Sequence, residues 1–332
     1  MSEDIHNTVI WCDPLYAELA AQAVDLMTGG VRVTGVGGPP SQAVGDLARR
    51  YELEATDDAR RLLLENERGS ILLLTREPPL DRELLIAACE RAAVLSVEPL
   101  AASVREAVEL GLSGEPGERK MIAAERVVTL PQMNESPGYR AATNAEQALG
   151  TVRGVTVEST GRESHGSLFS RLYDAWVTVM GLVDVPLSID ASLAGKVDPR
   201  DDLRAITGTM AAHARTPSGA TVTLMVSDRA GHTRRRLHAL GDAGEFRVDD
   251  VSYELVQLDG QPIDAHDASG QPATLADLIA DQWRRSLELG SPGLAPVPPP
   301  RRLASLACCE ACLLSARTGE AESPRRVMEM QR

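Results

Sequence analysis

The segment NTVIWCDPLYAEL, residues 7–19, joins a short apolar strand to the start of a helix, and such a junction can hold a charged group. The pattern predicts a strand from Thr8 to Cys12, then a helix that Asp13 caps and whose first turn contains Pro14. Near the N-terminus of an α/β domain, this junction is where a dinucleotide-binding fold places a glycine-rich turn. The segment contains no glycine. The sequence therefore raises the question of whether the strand and helix are present without the cofactor-binding turn.

The chain has five cysteines, and three of them fall in the segment CCEAC. Cys308 and Cys312 are four residues apart and share one helix face, so a metal site is one interpretation. No histidine or further cysteine pair lies nearby at ligand spacing, and an odd number of cysteines does not suit a disulfide framework. We therefore predict reduced thiols that pack as small apolar residues in the helix LASLACCEACLLSA, with no metal site.

The composition limits the classes of partner. The 332 residues and the 43% hydrophobic content suffice for two domains with separate cores. The 48 acidic and 34 basic residues give a formal charge of -14, which argues against nucleic acid and acidic membrane surfaces as partners. No run approaches the roughly 20 apolar residues of a membrane span, and the first residues do not resemble a signal peptide. The sequence predicts a soluble, cytoplasmic protein.

The first hundred residues alternate between strand and helix patterns. This order builds a parallel sheet with crossover helices, and such crossovers are right-handed in nearly every case. We therefore predict a Rossmann-like domain with a doubly wound parallel sheet over residues 1–118. Its strand segments are TVIWC, VRVTGV, SILLLT and AVLSVEP.

Beyond that point the pattern changes to alternating apolar and polar runs separated by turn residues. Such runs are typical of an antiparallel sheet with one solvated face. We predict an α+β domain with a large, mostly antiparallel open sheet over residues 119–290. A proline-rich connector at 291–300 and a C-terminal helix and tail at 301–332 complete the chain.

Several segments, in their order and spacing, resemble the glucose-fructose oxidoreductase, inositol dehydrogenase and MocA family. The resemblance covers nearly the whole chain and implies the two-domain fold predicted above. It also implies NAD(P)-dependent oxidoreduction of sugars, cyclitols or related polyols, and a homo-oligomer formed through the sheet of the second domain. The segments that carry it are residues 47–103, 214–227, 240–250 and 311–320.

The cofactor positions that the resemblance implies depart from the family pattern. The glycine turn falls on Trp11, Asp13 and Tyr16, where bulky rings and a carboxylate oppose the close approach of a pyrophosphate. The acidic residue that holds the adenine ribose falls on Gly37, which offers no acceptor. Thr75 matches a position that family members place beside the nicotinamide. We therefore expect no cofactor, or NAD or NADP if the family function is retained.

The catalytic positions depart in the same way. The Glu-Lys-Pro motif appears as SVEPL, so that Glu98 stands in place of the lysine, either as a solvated residue or as a buried base. The His-x-x-Asp pair falls on Arg171 and Asp174, of which only Asp174 matches. The spacing i, i+3 predicts that these two residues pair on one helix face. Glu98 joins their ion network if the domains face each other as in relatives.

Two further features lie in the second domain. His165, just before the helix that carries Arg171, is a candidate cleft residue. In the basic segment HTRRRLH, strand alternation predicts Arg234 and Arg236 on one face and Arg235 on the other, each beside acidic neighbours.

The leading hypothesis is a divergent, catalytically degenerate protein of this family with a binding or assembly role. A sugar-like or anionic ligand and a homo-oligomeric state accompany that hypothesis. One alternative is an active NAD(P)-dependent oxidoreductase of a sugar, cyclitol or polyol that binds its cofactor in a displaced manner. Another is a non-catalytic subunit that partners an active paralogue.

Overall fold

The computed structural model describes residues 5–27, 29–65, 69–114, 123–142, 148–196, 202–267, 273–287 and 296–330. The chain divides into two compact units. The first unit comprises Met1–Ala101, Glu106–Pro131 and Thr274–Pro300, and the second comprises Ala102–Arg105, Gln132–Ala273 and Arg301–Arg332.

The first part of the chain, up to residue 131, alternates strands and helices as predicted. Its strands are β1 (His6–Cys12), β2 (Val31–Gly37), β3 (Ala55–Thr56), β4 (Gly69–Leu74), β5 (Ala92–Ser96) and β6 (Val127–Thr129). Its helices are α1 (Ala17–Asp25), α2 (Gln42–Arg50), α3 (Ala59–Glu65), α4 (Arg82–Arg91) and α5 (Val104–Glu109).

The six strands of the first unit form one sheet in the order β3-β2-β1-β4-β5-β6, and every neighbouring pair is parallel. Strand β4 is buried over nearly its whole length, because helices cover both faces of a doubly wound sheet. The strand order reverses between β1 and β4, and in such folds a crevice opens there at the carboxyl ends of the strands. The predicted Rossmann-like fold class is confirmed.

The remaining elements are mostly antiparallel strands. The strands are β7 (Val152–Arg162), β8 (Ser188–Lys196), β9 (Thr207–Arg215), β10 (Thr221–Ser227), β11 (Arg229–Gly241), β12 (Gly244–Asp249), β13 (Ser252–Gln257) and β14 (Pro262–Asp267). The helices are α6 (Pro137–Ala141), α7 (Leu168–Leu182), α8 (Leu275–Leu287), α9 (Pro299–Thr318) and α10 (Pro324–Met330).

The second unit is built on an eight-stranded sheet in the order β14-β13-β12-β11-β7-β10-β9-β8. All its pairs are antiparallel except β7 with β10, which confirms the predicted mostly antiparallel sheet. Along β7, the side chains of Val155 and Val157 are buried and that of Thr156 is exposed, so one face is covered and the other is polar. Helix α7 packs on the covered face with Phe169 and Trp176 buried.

Helix α8 belongs to the first unit, although the sequence analysis assigned residues 119–290 to the second domain. Leu275, Ile279 and Trp283 lie four residues apart along the helix and enter the core of the first unit. The indole nitrogen of Trp283 donates a 3.0 Å hydrogen bond to the hydroxyl of Ser70 in β4. The apolar stripe predicts a buried helix face, but not which of the two sheets the face covers.

Residues 291–295 of the predicted connector lie outside the described residues, and the predicted C-terminal helix is observed as α9. Within the described ranges, no helix combines the length and hydrophobicity that a membrane crossing requires.

We predict that Trp283→Ala destabilises the first unit by about 3–5 kcal/mol, because it leaves a cavity in the core and removes the donor of the bond to Ser70. Chemical denaturation followed by circular dichroism measures this loss. Arg284→Ala, at the exposed neighbouring position, is the control and should cost less than about 1 kcal/mol. Equal losses for the two variants would contradict the placement of α8.

Candidate functional site

The carboxyl ends of β1 and β4 are held together by the Asp13 side chain. Its Oδ1 accepts a 2.9 Å hydrogen bond from the Thr75 hydroxyl, and its Oδ2 accepts a 2.9 Å hydrogen bond from the Arg76 backbone N–H. Asp13 occupies the predicted N-cap position, but its side chain makes no capping hydrogen bond, so the predicted capping role is wrong. Pro14 has no N–H to offer, and the Tyr16 N–H already donates to the Asp13 carbonyl oxygen.

Tyr16 and Glu98 form a buried pair in the same region of the first unit. The Tyr16 side chain has no exposed surface, and its hydroxyl donates a 2.5 Å hydrogen bond to Oε1 of Glu98. Glu98 follows β5 and is 2% exposed, so the interpretation of a solvated strand-end glutamate is wrong. Burial, and then the Glu98 carboxylate, raise the pKa of Tyr16 far above its ordinary value, whereas a hydrogen bond with the Arg76 side chain partly offsets the rise.

Trp11 fills the space beside Gly37. The two residues are register partners in β1 and β2, and the Trp11 side chain is buried. A Cβ atom at Gly37 would lie 2.9 Å from Cε3 of Trp11 and 2.7 Å from the Thr56 carbonyl oxygen. Position 37 is therefore restricted to glycine by close packing, and no side chain can project from it.

Arg171, on the first turn of α7, holds the end of β7 and the loop that follows it. Its guanidinium is buried and donates hydrogen bonds of 3.2, 3.2 and 2.9 Å to the carbonyl oxygens of Thr160, Arg162 and His165. Any side chain at Gly161 would overlap this guanidinium. Arg171 binds backbone oxygens and not Asp174, so the predicted pair is wrong. His165, on the loop that Arg171 holds, is half-buried, and its Nδ1 lies 3.0 Å from the Thr233 hydroxyl.

Asp174 pairs with an arginine from the sheet. Its Oδ2 accepts a 3.0 Å hydrogen bond from Arg235, and its Oδ1 accepts one of 2.9 Å from the Met133 N–H. Arg235 also donates two hydrogen bonds, of 2.9 and 2.6 Å, to Oδ1 of Asp250. The Arg235 side chain is buried, whereas Arg234 lies on the opposite face, 3.9 Å from Glu158, which confirms the predicted alternation.

Within each unit the structure gives the predicted positions their own set of partners. Asp13, Tyr16, Thr75 and Glu98 come together within the first unit, with Arg76 as the cation of that cluster. Arg171 and Asp174 lie in the second unit with different partners. Arg76 was not predicted as a member of the first cluster, although it directly follows the matching Thr75 at a strand end.

The cysteines behave as small core residues. All five are buried and none forms a disulfide, which confirms the packing interpretation. Burial raises the pKa of Cys12 and of Cys312 to about 12, so neither thiol ionises readily near neutral pH. Among the described residues there is no group of three or more histidine, cysteine, aspartate or glutamate side chains that could hold a metal ion.

We predict that Arg171→Ala lowers the free energy of unfolding by about 3 kcal/mol or more, because three carbonyl oxygens lose a charged donor. Arg171→Lys should recover only part of this loss, since a lysine lacks the planar fork. The control Arg162→Ala removes an exposed side chain at the end of β7 and should cost less than about 1 kcal/mol. A loss as small for Arg171→Ala as for the control would contradict the clamp.

No family model matches the sequence, and no curated protein matches it. Solved structures match over nearly the whole chain. An oxidoreductase from Agrobacterium radiobacter in complex with NAD+, L-tartaric acid and magnesium is 14% identical with a TM-score of 0.69, covering 97% of this chain and 99% of that chain.

Two further structures show the same likeness. The WlbA dehydrogenase from Chromobacterium violaceum in complex with NADH and UDP-GlcNAcA is 15% identical with a TM-score of 0.66, covering 97% of each chain. A myo-inositol dehydrogenase from Corynebacterium glutamicum is 14% identical with a TM-score of 0.62, covering 96% of this chain and 98% of that chain. The chain therefore has the two-domain fold of these oxidoreductase structures.

Proposed function

We propose that this chain is a non-catalytic protein with an oxidoreductase fold, and that its role is binding or assembly. The observation that carries the proposal is the buried Tyr16–Glu98 hydrogen bond at the carboxyl end of the parallel sheet. Two of the similar structures hold NAD+ or NADH, so the test of the proposal is whether the residues of this chain fit such a cofactor.

The residues at the strand-to-helix turn do not fit a dinucleotide bound through a glycine turn. Trp11, Asp13 and Tyr16 have the spacing of the three glycines in that motif, and all three are larger than glycine. The Asp13 carboxylate, at about 4–5 Å from a phosphate, would cost on the order of 3–4 kcal/mol at a surface-like dielectric. Pro14 and the Tyr16 N–H, already bonded to Asp13, offer no donors for a pyrophosphate.

The adenosine end of the site also departs from what a dinucleotide needs. A dinucleotide-binding fold normally places a carboxylate at the end of the second strand, where it accepts hydrogen bonds from the ribose. Gly37 is held as glycine by Trp11 and by the Thr56 carbonyl oxygen, so this acceptor is missing. Both halves of the crevice thus depart from what a dinucleotide requires.

The catalytic positions support the same conclusion. Glu98 accepts a hydrogen bond from Tyr16, and Arg171 is bound to three carbonyl oxygens. An arginine keeps its proton at every physiological pH and cannot act as an acid or base. Asp174 is buried and bonded to Arg235, a cation that it shares with Asp250. None of these three positions offers a side chain that is poised to move a proton to or from a substrate.

We further propose that the partner is a second copy, which binds to the face of the eight-stranded sheet opposite α7. Thr156 and Thr223 are cross-strand partners on this face, and Met225 is 45% exposed beside them. Arg247 and Glu254 form an ion pair on the same face. Glu158, the register partner of Met225, and Arg236 place one charge of each sign beside these residues. A surface that combines threonine and methionine side chains with both signs of charge suits an isologous contact, in which a patch meets itself.

We expect that calorimetric titration of the purified protein with NAD(H) and NADP(H) gives no heat, and that neither cofactor raises the melting temperature. A dissociation constant below about 100 μM, which corresponds to roughly -5.5 kcal/mol, would contradict the proposal and favour the active-oxidoreductase alternative.

We expect native mass spectrometry to show a homodimer, and Met225→Glu to convert it to a monomer because two like charges would meet near the symmetry axis. Leu258→Glu, at another exposed apolar position, is the control and should leave the dimer intact. A wild-type monomer would contradict the dimer. Co-purification with a second chain of similar size would favour the alternative of a subunit that partners a paralogue.

A further inference from the structure

The Asp13 carboxylate accepts hydrogen bonds from the residues that follow β4 and does not cap the helix that it precedes. Both of its oxygens are engaged at 2.9 Å, one by the Thr75 hydroxyl and one by the Arg76 N–H. It makes no side-chain hydrogen bond to the helix that it precedes. The carboxylate therefore bridges from the end of β1 to the donors that follow β4.

The two donors form a small site for an oxyanion. Thr75 is a buried residue at the end of a parallel strand, and the Arg76 N–H follows it directly. A buried hydroxyl and a backbone N–H need acceptors, because leaving either without one costs free energy. In open α/β sheets the carboxyl ends of strands at the point of reversal are where ligands bind. Here an acceptor from the same chain fills that place.

The charges of the cluster oppose the binding of an external anion in place of the Asp13 carboxylate. Asp13 and Glu98 contribute two negative charges and Arg76 one positive charge, and the Arg76 side chain partly offsets the raised pKa of Tyr16. The net charge at these positions is -1, which repels phosphate. Without the Asp13 carboxylate the net charge becomes zero, the Arg76 N–H loses its acceptor, and the Thr75 hydroxyl retains only the Glu77 carbonyl oxygen, at 3.2 Å.

We infer that Asp13 is an intramolecular ligand that occupies an oxyanion site formed by the Thr75 hydroxyl and the Arg76 N–H. Removing its carboxylate opens this site to inorganic phosphate and pyrophosphate. The inference rests on the proposed function, since it names the contact that keeps a phosphate-bearing ligand out of the crevice. It assigns the class of ligand, a phosphate oxyanion, that the vacated donors would accept.

The test compares the wild type with Asp13→Ala, and uses Asp46→Ala as the matched control that removes an exposed carboxylate elsewhere in the first unit. Each protein is titrated with phosphate and with pyrophosphate, followed by calorimetry and thermal shift, against chloride at equal ionic strength. We expect Asp13→Ala to bind both anions at least tenfold more tightly than the wild type or the control.

A folded Asp13→Ala protein with no gain over the control overturns the inference. Asp13→Asn keeps one acceptor oxygen and the side-chain volume but lacks the charge, so it should show a smaller gain. If Asp13→Ala does not fold, the absence of any gain in folded Asp13→Asn overturns the inference instead. Phosphate binding of equal strength by the wild type also overturns it. A wild type that binds NAD(H) but not phosphate contradicts the proposed function alone. The inference is still decided by whether Asp13→Ala binds phosphate more tightly than the wild type.

Discussion

The Tyr16 hydroxyl donates its hydrogen bond to Glu98 in the interior of the first unit, at the carboxyl end of the parallel sheet. A buried carboxylate needs a donor and a buried phenol needs an acceptor, because burying either without a hydrogen bond costs free energy. Each of these two side chains therefore offsets the cost of burying the other. The Tyr16 ring fills the turn after β1, and the Asp13 carboxylate bonds to the residues after β4. These contacts determine which ligands this end of the sheet can bind.

The second unit shows a related use of polar groups. Arg171 binds three carbonyl oxygens at the end of β7 and in the loop that follows, and Arg235 of the sheet bonds to Asp174 and Asp250. Buried charges of this kind are costly to break, because the partner that remains is left without compensation. Residues at positions that the family resemblance associates with chemistry thus serve to hold the backbone in place.

Much of the fold follows from the sequence because the period of apolar residues differs between the two sheets. Buried runs such as SILLLT indicate parallel strands, and alternation such as Val155 to Val157 indicates a half-covered sheet. The sequence does not predict to which unit α8 belongs, because an apolar helix face fits any apolar partner. Contacts between distant residues decided that placement, as in the bond from Trp283 to Ser70.

The site was less predictable than the fold for the same physical reason. Asp13 and Asp174 both had a local partner that the spacing suggests, a helix N-terminus and Arg171. Each instead bonds to a group 61 to 63 residues away, where Arg235 and the Arg76 N–H offer donors that the local candidates do not. Alternation did predict that Arg235 points away from Arg234. Local patterns therefore indicate which way a side chain points, whereas its partner is set by the tertiary fold.

The most direct test of the account is hydrogen–deuterium exchange of the peptide that spans residues 7–19, with and without millimolar NADH. If Tyr16, Glu98 and Asp13 close the crevice, the exchange of this peptide will be the same in both conditions. Slower exchange in the presence of NADH would mean that the cofactor binds at the turn, and would contradict the central claim that the chain fills this site with its own side chains.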